Sequence, residues 1–349
     1  MPEAIRITDL AKPELDETQR AILAFGQTLD VQLDADNILD EAKKSVSLDD
    51  FGPEDFRQRL DLLCDEWGKD EGLNNLGRMS LRNKLVLFAR NRLLIQDLLK
   101  RHPEIHDVEI RAPIIVAGLP RSGTTHLLNL MAADTRLRAL PLWESYEPVP
   151  MPGEAMLPDG TDPRYQRCAD AWEMMQQTVP KLAAMHPMNP DHIHEELELM
   201  GPDFASYNFE WLCQCPRWRD HYYASDQTPH YEYMKTVLKI LTWQDGDDGS
   251  GTRWVLKCPQ HLEQLRALQR VFPDATVAVT HRDPVAVIQS AATMIAYGQR
   301  MSRHSIDLAN TIEYWSDRVL HLLECCARDR RSLAEDQSID CLLYTSPSP

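Results

Sequence analysis

One stretch of the chain carries residues suited to binding an anion. Residues 120–125 read PRSGTT and follow the apolar run 114–116 after Gly118. Apolar residues return at helical spacing from Thr124, so the pattern predicts a buried strand, a tight loop and a helix. Backbone N–H groups are free at a helix N-terminus, where the helix dipole is positive. With the Arg121 guanidinium and the loop hydroxyls, they suit a phosphate group.

The loop resembles a P-loop but departs from it in one respect. A kinase-type loop has Lys and then Ser or Thr after its second glycine, so that the Lys reaches the terminal phosphates and the hydroxyl binds Mg²⁺. Here Thr124 stands in the place of that Lys, and the strong cation, Arg121, precedes Gly123. We therefore predict that Arg121, Ser122, Gly123, Thr124 and Thr125 hold an anion without the ATP and magnesium machinery. An ordinary strand-to-helix turn with a capping Ser or Thr is the alternative.

A β-α-β-α unit is predicted later in the chain. Its segments are a strand over 254–257 (WVLK), an amphipathic helix over 262–272, a strand over 275–280 (ATVAVT) and a helix over 285–294. Arg282 then follows the second strand at its carboxyl end, where open parallel sheets bind ligands. Ser290 lies eight residues on, about two turns along the next helix. Arg282 and Ser290 together suit a second phosphate; a surface pair of Arg282 with Asp283 and a neutral helix serine is the alternative.

Together the two signals resemble the sulfotransferases that use 3′-phosphoadenylyl sulfate as donor. GLPRSGTT is similar to their 5′-phosphosulfate loop, and THRDPVAVIQS is similar to the site where an Arg and a Ser hold the ribose 3′-phosphate. The resemblance runs from about residue 112 to residue 294. It is closest to the bacterial-type branch with PRSGTT and HRDP, which shares a catalytic layout with the tyrosylprotein sulfotransferases. It implies an α/β, P-loop-like three-layer fold with a central parallel sheet flanked by helices.

The same resemblance implies in-line transfer of a sulfuryl group to a hydroxyl or amine of an organic acceptor, with three catalytic residues. Arg121 faces the leaving phosphate, and Lys257 contacts the transferring group or the bridging oxygen. A surface lysine at the end of a strand is the alternative for Lys257. Glu144, in the proline-rich stretch 138–152, stands where the family has its general base. The small-molecule enzymes use a His at the position of Pro259, which cannot take a proton. Glu147, His261 and His281 are rival candidates for the base.

Composition narrows the class of protein. A net charge of −17 over 349 residues argues against a general nucleic-acid or anionic-membrane surface. The sequence has no apolar segment long enough to span a bilayer and no basic, apolar N-terminal signal. Its eight scattered cysteines read as free thiols, so a cytoplasmic protein is expected. We expect a small-molecule, lipid or glycan acceptor and no metal, with both a monomer and a homo-oligomer open as assemblies. The competing functions are a P-loop nucleotide kinase or hydrolase and a catalytically inactive nucleotide-binding protein.

The remaining chain is assigned by periodicity. Residues 1–110 are predicted to be an all-helical region packed on the core, with helices over 15–29, 56–67 and 76–101. Residues 111–340 are predicted to form the α/β domain, incomplete at its C-terminus. Its aromatic-rich part 163–243 suits an apolar acceptor pocket, and packing of most of these rings in the core or an interface is the alternative. The run DHIHEE at 191–196 is predicted to be a capped, solvated helix start rather than a metal site. A last helical part is predicted over 302–329, and the tail 341–349 is expected to be irregular and foreign to the family.

Overall fold

The computed structural model of the protein describes residues 6–342. Within that range the strands are β1 Ile114–Gly118, β2 Leu137–Arg138, β3 Arg253–Lys257, β4 Thr276–His281 and β5 Ser338–Leu342. The α-helices are α1 Glu17–Gly26, α2 Ala35–Val46, α3 Phe56–Gly68, α4 Asn75–Arg101, α5 Thr124–Ala132, α6 Leu142–Tyr146, α7 Pro163–Thr178, α8 Leu182–Met185, α9 Leu197–Met200, α10 Asn208–Leu212, α11 Pro216–Ala224, α12 Thr228–Gln244, α13 Leu265–Val271, α14 Pro284–Gln299 and α15 Leu308–Asp329.

The five strands form one parallel sheet in the order β2-β3-β1-β4-β5. The register sets Gly118 of β1 opposite Thr280 of β4, and Val116 opposite Lys257 of β3. Because the strands run in one direction, the loop after β1, the end of β3 and the turn after β4 all meet at one edge of the sheet. The sheet is parallel and helices flank it, so the predicted fold class is confirmed.

Six of the fifteen α-helices within residues 6–342 begin after a residue whose side chain accepts a hydrogen bond from the first turn. Asp283 accepts the Val285 N–H and places Pro284 in the first turn of α14. The predicted helix over 262–272 is divided, because Pro259–Glu263 forms a 3₁₀ turn and α13 starts only at Leu265. The predicted segment 302–329 becomes helical only after its cap, Asp307. Helix α2 was not predicted.

Buried ion pairs fasten the N-terminal helices to the rest of the chain. Arg59 of α3 and Arg92 of α4 both donate to the Asp203 carboxylate, at 3.0 and 2.9 Å, and His230 of α12 contacts it from the other side. All four side chains are buried. Such a group of charges is stable only when each is paired, so it fixes how these helices pack. The domain boundaries at 110 and 340 stay predictions.

Other expectations concern cysteines, the tail and membrane spans. All eight cysteines are free thiols, as predicted. Cys341 and Leu342, placed in the irregular tail by the sequence, belong to strand β5, and residues 343–349 lie outside the described residues. Within residues 6–342, every helix is too short or too polar to cross a membrane.

Candidate active site

The loop between β1 and α5 is braced against the neighbouring strand. The Ser122 hydroxyl donates to the Leu119 carbonyl at 2.6 Å and lies 2.8 Å from Thr280 Oγ1 on β4. Gly118 passes so close to β4 that a Cβ there would lie 2.0 Å from the Thr280 hydroxyl oxygen. The Ser122 side chain therefore shapes the loop, and the glycine lets the two strands approach.

The loop backbone adopts conformations that L-residues rarely take. Arg121 has φ +64° and Gly123 has φ +84°, both in the left-handed region. For a residue with a Cβ this conformation costs about 1 kcal/mol. Helix α5 starts directly afterwards at Thr124, so its first N–H groups lack carbonyl partners within the helix. Strained backbone of this kind clusters at functional sites. Here the strained loop places the Arg121 guanidinium and the N-terminus of α5 at the same edge of the sheet.

The structure brings Arg121, Ser290 and Arg282 together. Arg121 donates from Nε to Ser290 Oγ at 3.1 Å and from Nη1 to the Met185 carbonyl at 2.7 Å. Arg282 donates from Nη1 to the Arg121 carbonyl at 2.5 Å. The Arg282 Nε is buried and has no hydrogen-bond partner within residues 6–342. The two candidate anion sites are therefore adjacent, and one of their donors has no acceptor.

The electrostatics of this corner favour an anion. Burial, with the nearby positive charge of Arg282, lowers the pKa of Arg121, and the negative charge of Glu195 partly offsets this. Two guanidiniums side by side repel each other in a region screened from water. A group carrying several negative charges relieves that repulsion.

Lys257 is a buried part of this corner rather than a surface lysine. It is 1% exposed at the end of β3. Its ammonium donates to Thr125 Oγ1 at 3.2 Å and forms an ion pair with Glu195. The lysine therefore contacts the first turn of α5, beside the loop that carries Arg121.

The run DHIHEE is not a solvated helix start, so that prediction is wrong. His192, His194 and Glu196 are 8%, 5% and 0% exposed. The run is extended, because the Leu142 N–H bonds the His192 carbonyl and the His194 N–H bonds the Leu140 carbonyl. The alternation of His with Ile193 was the sequence signal for this, since alternation is typical of strands.

Three imidazoles lie close together near Lys257. The ring centroids of His186, His192 and His194 are 5.5, 5.8 and 6.0 Å apart. Burial and the positive charge of Lys257 lower the pKa of His186 to about 3 and that of His192 to about 4, so both rings are neutral near pH 7. Among residues 6–342, no group of three or more His, Cys, Asp or Glu side chains is arranged to hold a metal ion.

Glu144 lies on α6, away from Lys257. Its carboxylate is 2.7 Å from the Arg138 guanidinium, but the Oε2 atom lacks a well-aligned hydrogen bond. Burial raises the pKa of Glu144, and the positive charge of Arg138 partly offsets the rise. Arg138 is opposite Trp254, three residues before Lys257 on β3, or about 10 Å along the strand. The carboxylate paired with the Lys257 ammonium is that of Glu195, in the run predicted to be a solvated helix start.

The rival bases are held by other partners. The Glu147 carboxylate accepts hydrogen bonds from the Arg167 guanidinium. His261 is fully buried, with Nε2 against Glu196 and Nδ1 2.8 Å from the Tyr231 hydroxyl. His281 is partly exposed and pairs with Asp340 at 2.7 Å.

Comparisons with known proteins agree with this fold. The model of the Sulfotransferase family matches residues 113–340. The chain is similar to the crystal structure of sulfotransferase STF1 from Mycobacterium tuberculosis H37Rv, with 29% identity, a TM-score of 0.77, and 91% of this chain and 85% of that chain covered. It shares its fold with sulfotransferase STF9 from Mycobacterium avium, with 23% identity, a TM-score of 0.78, and 90% and 80% covered. No curated protein sequence gives a significant match.

Proposed function

Since this chain belongs to the sulfotransferase family, we propose that it moves a sulfuryl group from 3′-phosphoadenylyl sulfate to a hydroxyl or amine of an organic acceptor. The observation that carries the choice of donor is the adjacency of Arg121 and Arg282, with Ser290 bonded to Arg121 Nε at 3.1 Å. Two anion-binding groups this close suit a nucleotide with phosphates at both its 3′ and 5′ positions. The acceptor is a small molecule, a lipid or a glycan.

The residues at the sheet edge divide into two sets by the phosphate they hold. Arg282 and Ser290 bind the 3′-phosphate, and the partnerless Nε of Arg282 supports this because a phosphate oxygen would satisfy it. Arg121, Thr125 and the free N–H groups of α5 bind the 5′ end. Lys257 reaches the same end from β3. A preorganised donor of this kind is worth about 3 kcal/mol when negative charge grows on the leaving phosphate.

In the transfer, the bond between the acceptor oxygen or nitrogen and sulfur forms while the bond from sulfur to the bridging oxygen breaks. The leaving group is adenosine 3′,5′-bisphosphate, whose 5′-phosphate gains negative charge against Arg121 and Lys257. Glu144 takes the acceptor's proton after its carboxylate turns away from Arg138. Its burial, its raised pKa and its poorly aligned hydrogen bond support this role, because a base with a pKa nearer neutrality transfers protons more effectively.

Calorimetry with two ligands tests the choice of donor. We expect adenosine 3′,5′-bisphosphate to bind the full chain, and ATP with Mg²⁺ to bind at least tenfold more weakly, because Thr124 replaces the P-loop lysine. A transfer assay with radiolabelled donor and a panel of phenols, sterols, glycolipids and amines then identifies the acceptor class. Tighter binding of ATP with Mg²⁺ than of the bisphosphate would refute the proposal and favour a kinase.

A further inference from the structure

The ammonium of Lys257 is neutralised by a carboxylate from a distant part of the chain. Glu195 lies 62 residues earlier and forms an ion pair with Lys257 Nζ, whose side chain is 2% exposed. The Glu195 side chain is 12% exposed. The same ammonium also donates to Thr125 Oγ1 in the first turn of α5. Glu195 is therefore paired with a cation that lies beside the proposed position of the 5′-phosphosulfate.

The neighbouring residue, Glu196, fixes the backbone of this segment. Its Oε2 accepts the Lys257 N–H at 2.8 Å, and its Oε1 contacts His261 Nε2. His261 is held in turn by the Tyr231 hydroxyl at 2.8 Å. These contacts are made by fully buried side chains. The segment is thus anchored without Glu195, whose carboxylate can leave Lys257 by rotation of its own side chain.

The groups around Lys257 give Glu195 a particular electrostatic role. Burial, together with the positive charge of Lys257, lowers the pKa values of His186, His192 and His194, so these imidazoles are neutral near pH 7. The negative charge of Glu195 also acts on Arg121. An anionic sulfuryl or phosphate group brought to Lys257 would face this carboxylate. Two like charges in contact in a buried site repel strongly.

We propose that Glu195 is a positioning residue that holds Lys257 while no donor is bound and must release it when the anionic end of the donor arrives. The inference rests on the proposed function. It makes Glu195 a competitor of the donor for one ammonium group. The returning carboxylate also helps to expel the bisphosphate product, because it takes back the cation that holds the 5′-phosphate.

Removing the charge of Glu195 tests this role. In calorimetry with adenosine 3′,5′-bisphosphate, we expect Glu195→Gln to bind about tenfold more tightly than the wild type, equal to about 1.4 kcal/mol. Glutamine keeps the size of the side chain and loses only the competing charge. Structural damage would weaken binding, so a gain in affinity separates competition from a structural role. Glu195→Ala, expected to change affinity in the same direction, serves if the Gln variant does not fold.

A matched control removes a negative charge from another partly buried ion pair. Glu154 pairs with Arg167, and Glu154→Gln is expected to bind the bisphosphate as the wild type does. Binding by Glu195→Gln or Glu195→Ala that is equal to or weaker than that of a binding-competent wild type overturns the inference alone. A wild type that does not bind the bisphosphate overturns the proposed function and this inference with it.

Discussion

Arg282→Ala removes the guanidinium assigned to the 3′-phosphate while leaving the loop that holds the 5′ end. Arg282 donates a hydrogen bond from Nη1 to the Arg121 carbonyl, and its Nε has no partner in the part of the chain that the structure describes. A 3′-phosphate would accept from that Nε. The substitution should therefore weaken only ligands that carry a phosphate at the 3′ position.

The size of the loss follows from the type of hydrogen bond. A hydrogen bond to a charged group contributes about 1.5–3 kcal/mol, which is about 10- to 150-fold in the dissociation constant. Burial and then the positive charge of Arg282 lower the pKa of Arg121, so removing Arg282 eliminates some repulsion between the two cations. We therefore expect a loss near the middle of that range, about 30-fold, for adenosine 3′,5′-bisphosphate.

Calorimetry with a pair of nucleotides separates this effect from damage to the loop. Adenosine 5′-monophosphate lacks the 3′-phosphate, so its affinity should change by less than about threefold in Arg282→Ala. Arg136→Ala, which removes an exposed arginine paired with Asp134, is the matched control and should leave both affinities unchanged. Equal losses for both nucleotides would refute the assignment of Arg282 to the 3′-phosphate.

Two further substitutions test the base and the loop. Glu144→Gln should lower turnover by about 10²- to 10⁴-fold and leave bisphosphate binding unchanged, and full turnover in the variant would remove Glu144 from the mechanism. Because burial raises the pKa of Glu144 and the base must be ionised, wild-type kcat/KM should fall as the pH drops through that raised pKa. Gly118→Ala should lower the free energy of unfolding, measured in urea, by about 1–3 kcal/mol, because the added Cβ would lie 2.0 Å from Thr280 Oγ1. Gly298→Ala, in α14 with open space around it, should be neutral or stabilising by up to about 1 kcal/mol, and equal effects of the two alanines would contradict the packing argument.

The parts of the fold that were predicted have local signals. Strand β1, the loop and α5 follow from an apolar run, glycines and a return to helical spacing within about 20 residues. Asp283 and Pro284 mark the start of α14 in the same way. Helix α2 was missed although the sequence contains local signals for it. Asp34 caps the helix, and its buried residues recur at helical spacing: Ile38, Leu39, Ala42 and Val46.

The missed parts of the candidate site depend on contacts between distant segments. Glu195 reaches Lys257 across 62 residues, and its segment pairs with residues 140–142 to do so. No local pattern encodes such a pairing, because it is decided by how the helices pack around the sheet. The burial of Lys257 has the same origin, since residues before α9 cover the end of β3. The adjacency of Arg121 and Arg282, by contrast, followed from the parallel sheet.

A crystal structure of the full chain with adenosine 3′,5′-bisphosphate is the most direct test of the central claim. We predict one nucleotide across the sheet edge, with its 3′-phosphate on Arg282 and Ser290 and its 5′-phosphate on Arg121, Lys257 and the first N–H groups of α5. A nucleotide bound elsewhere on the protein, or bound with its two phosphates exchanged between these groups, would contradict it.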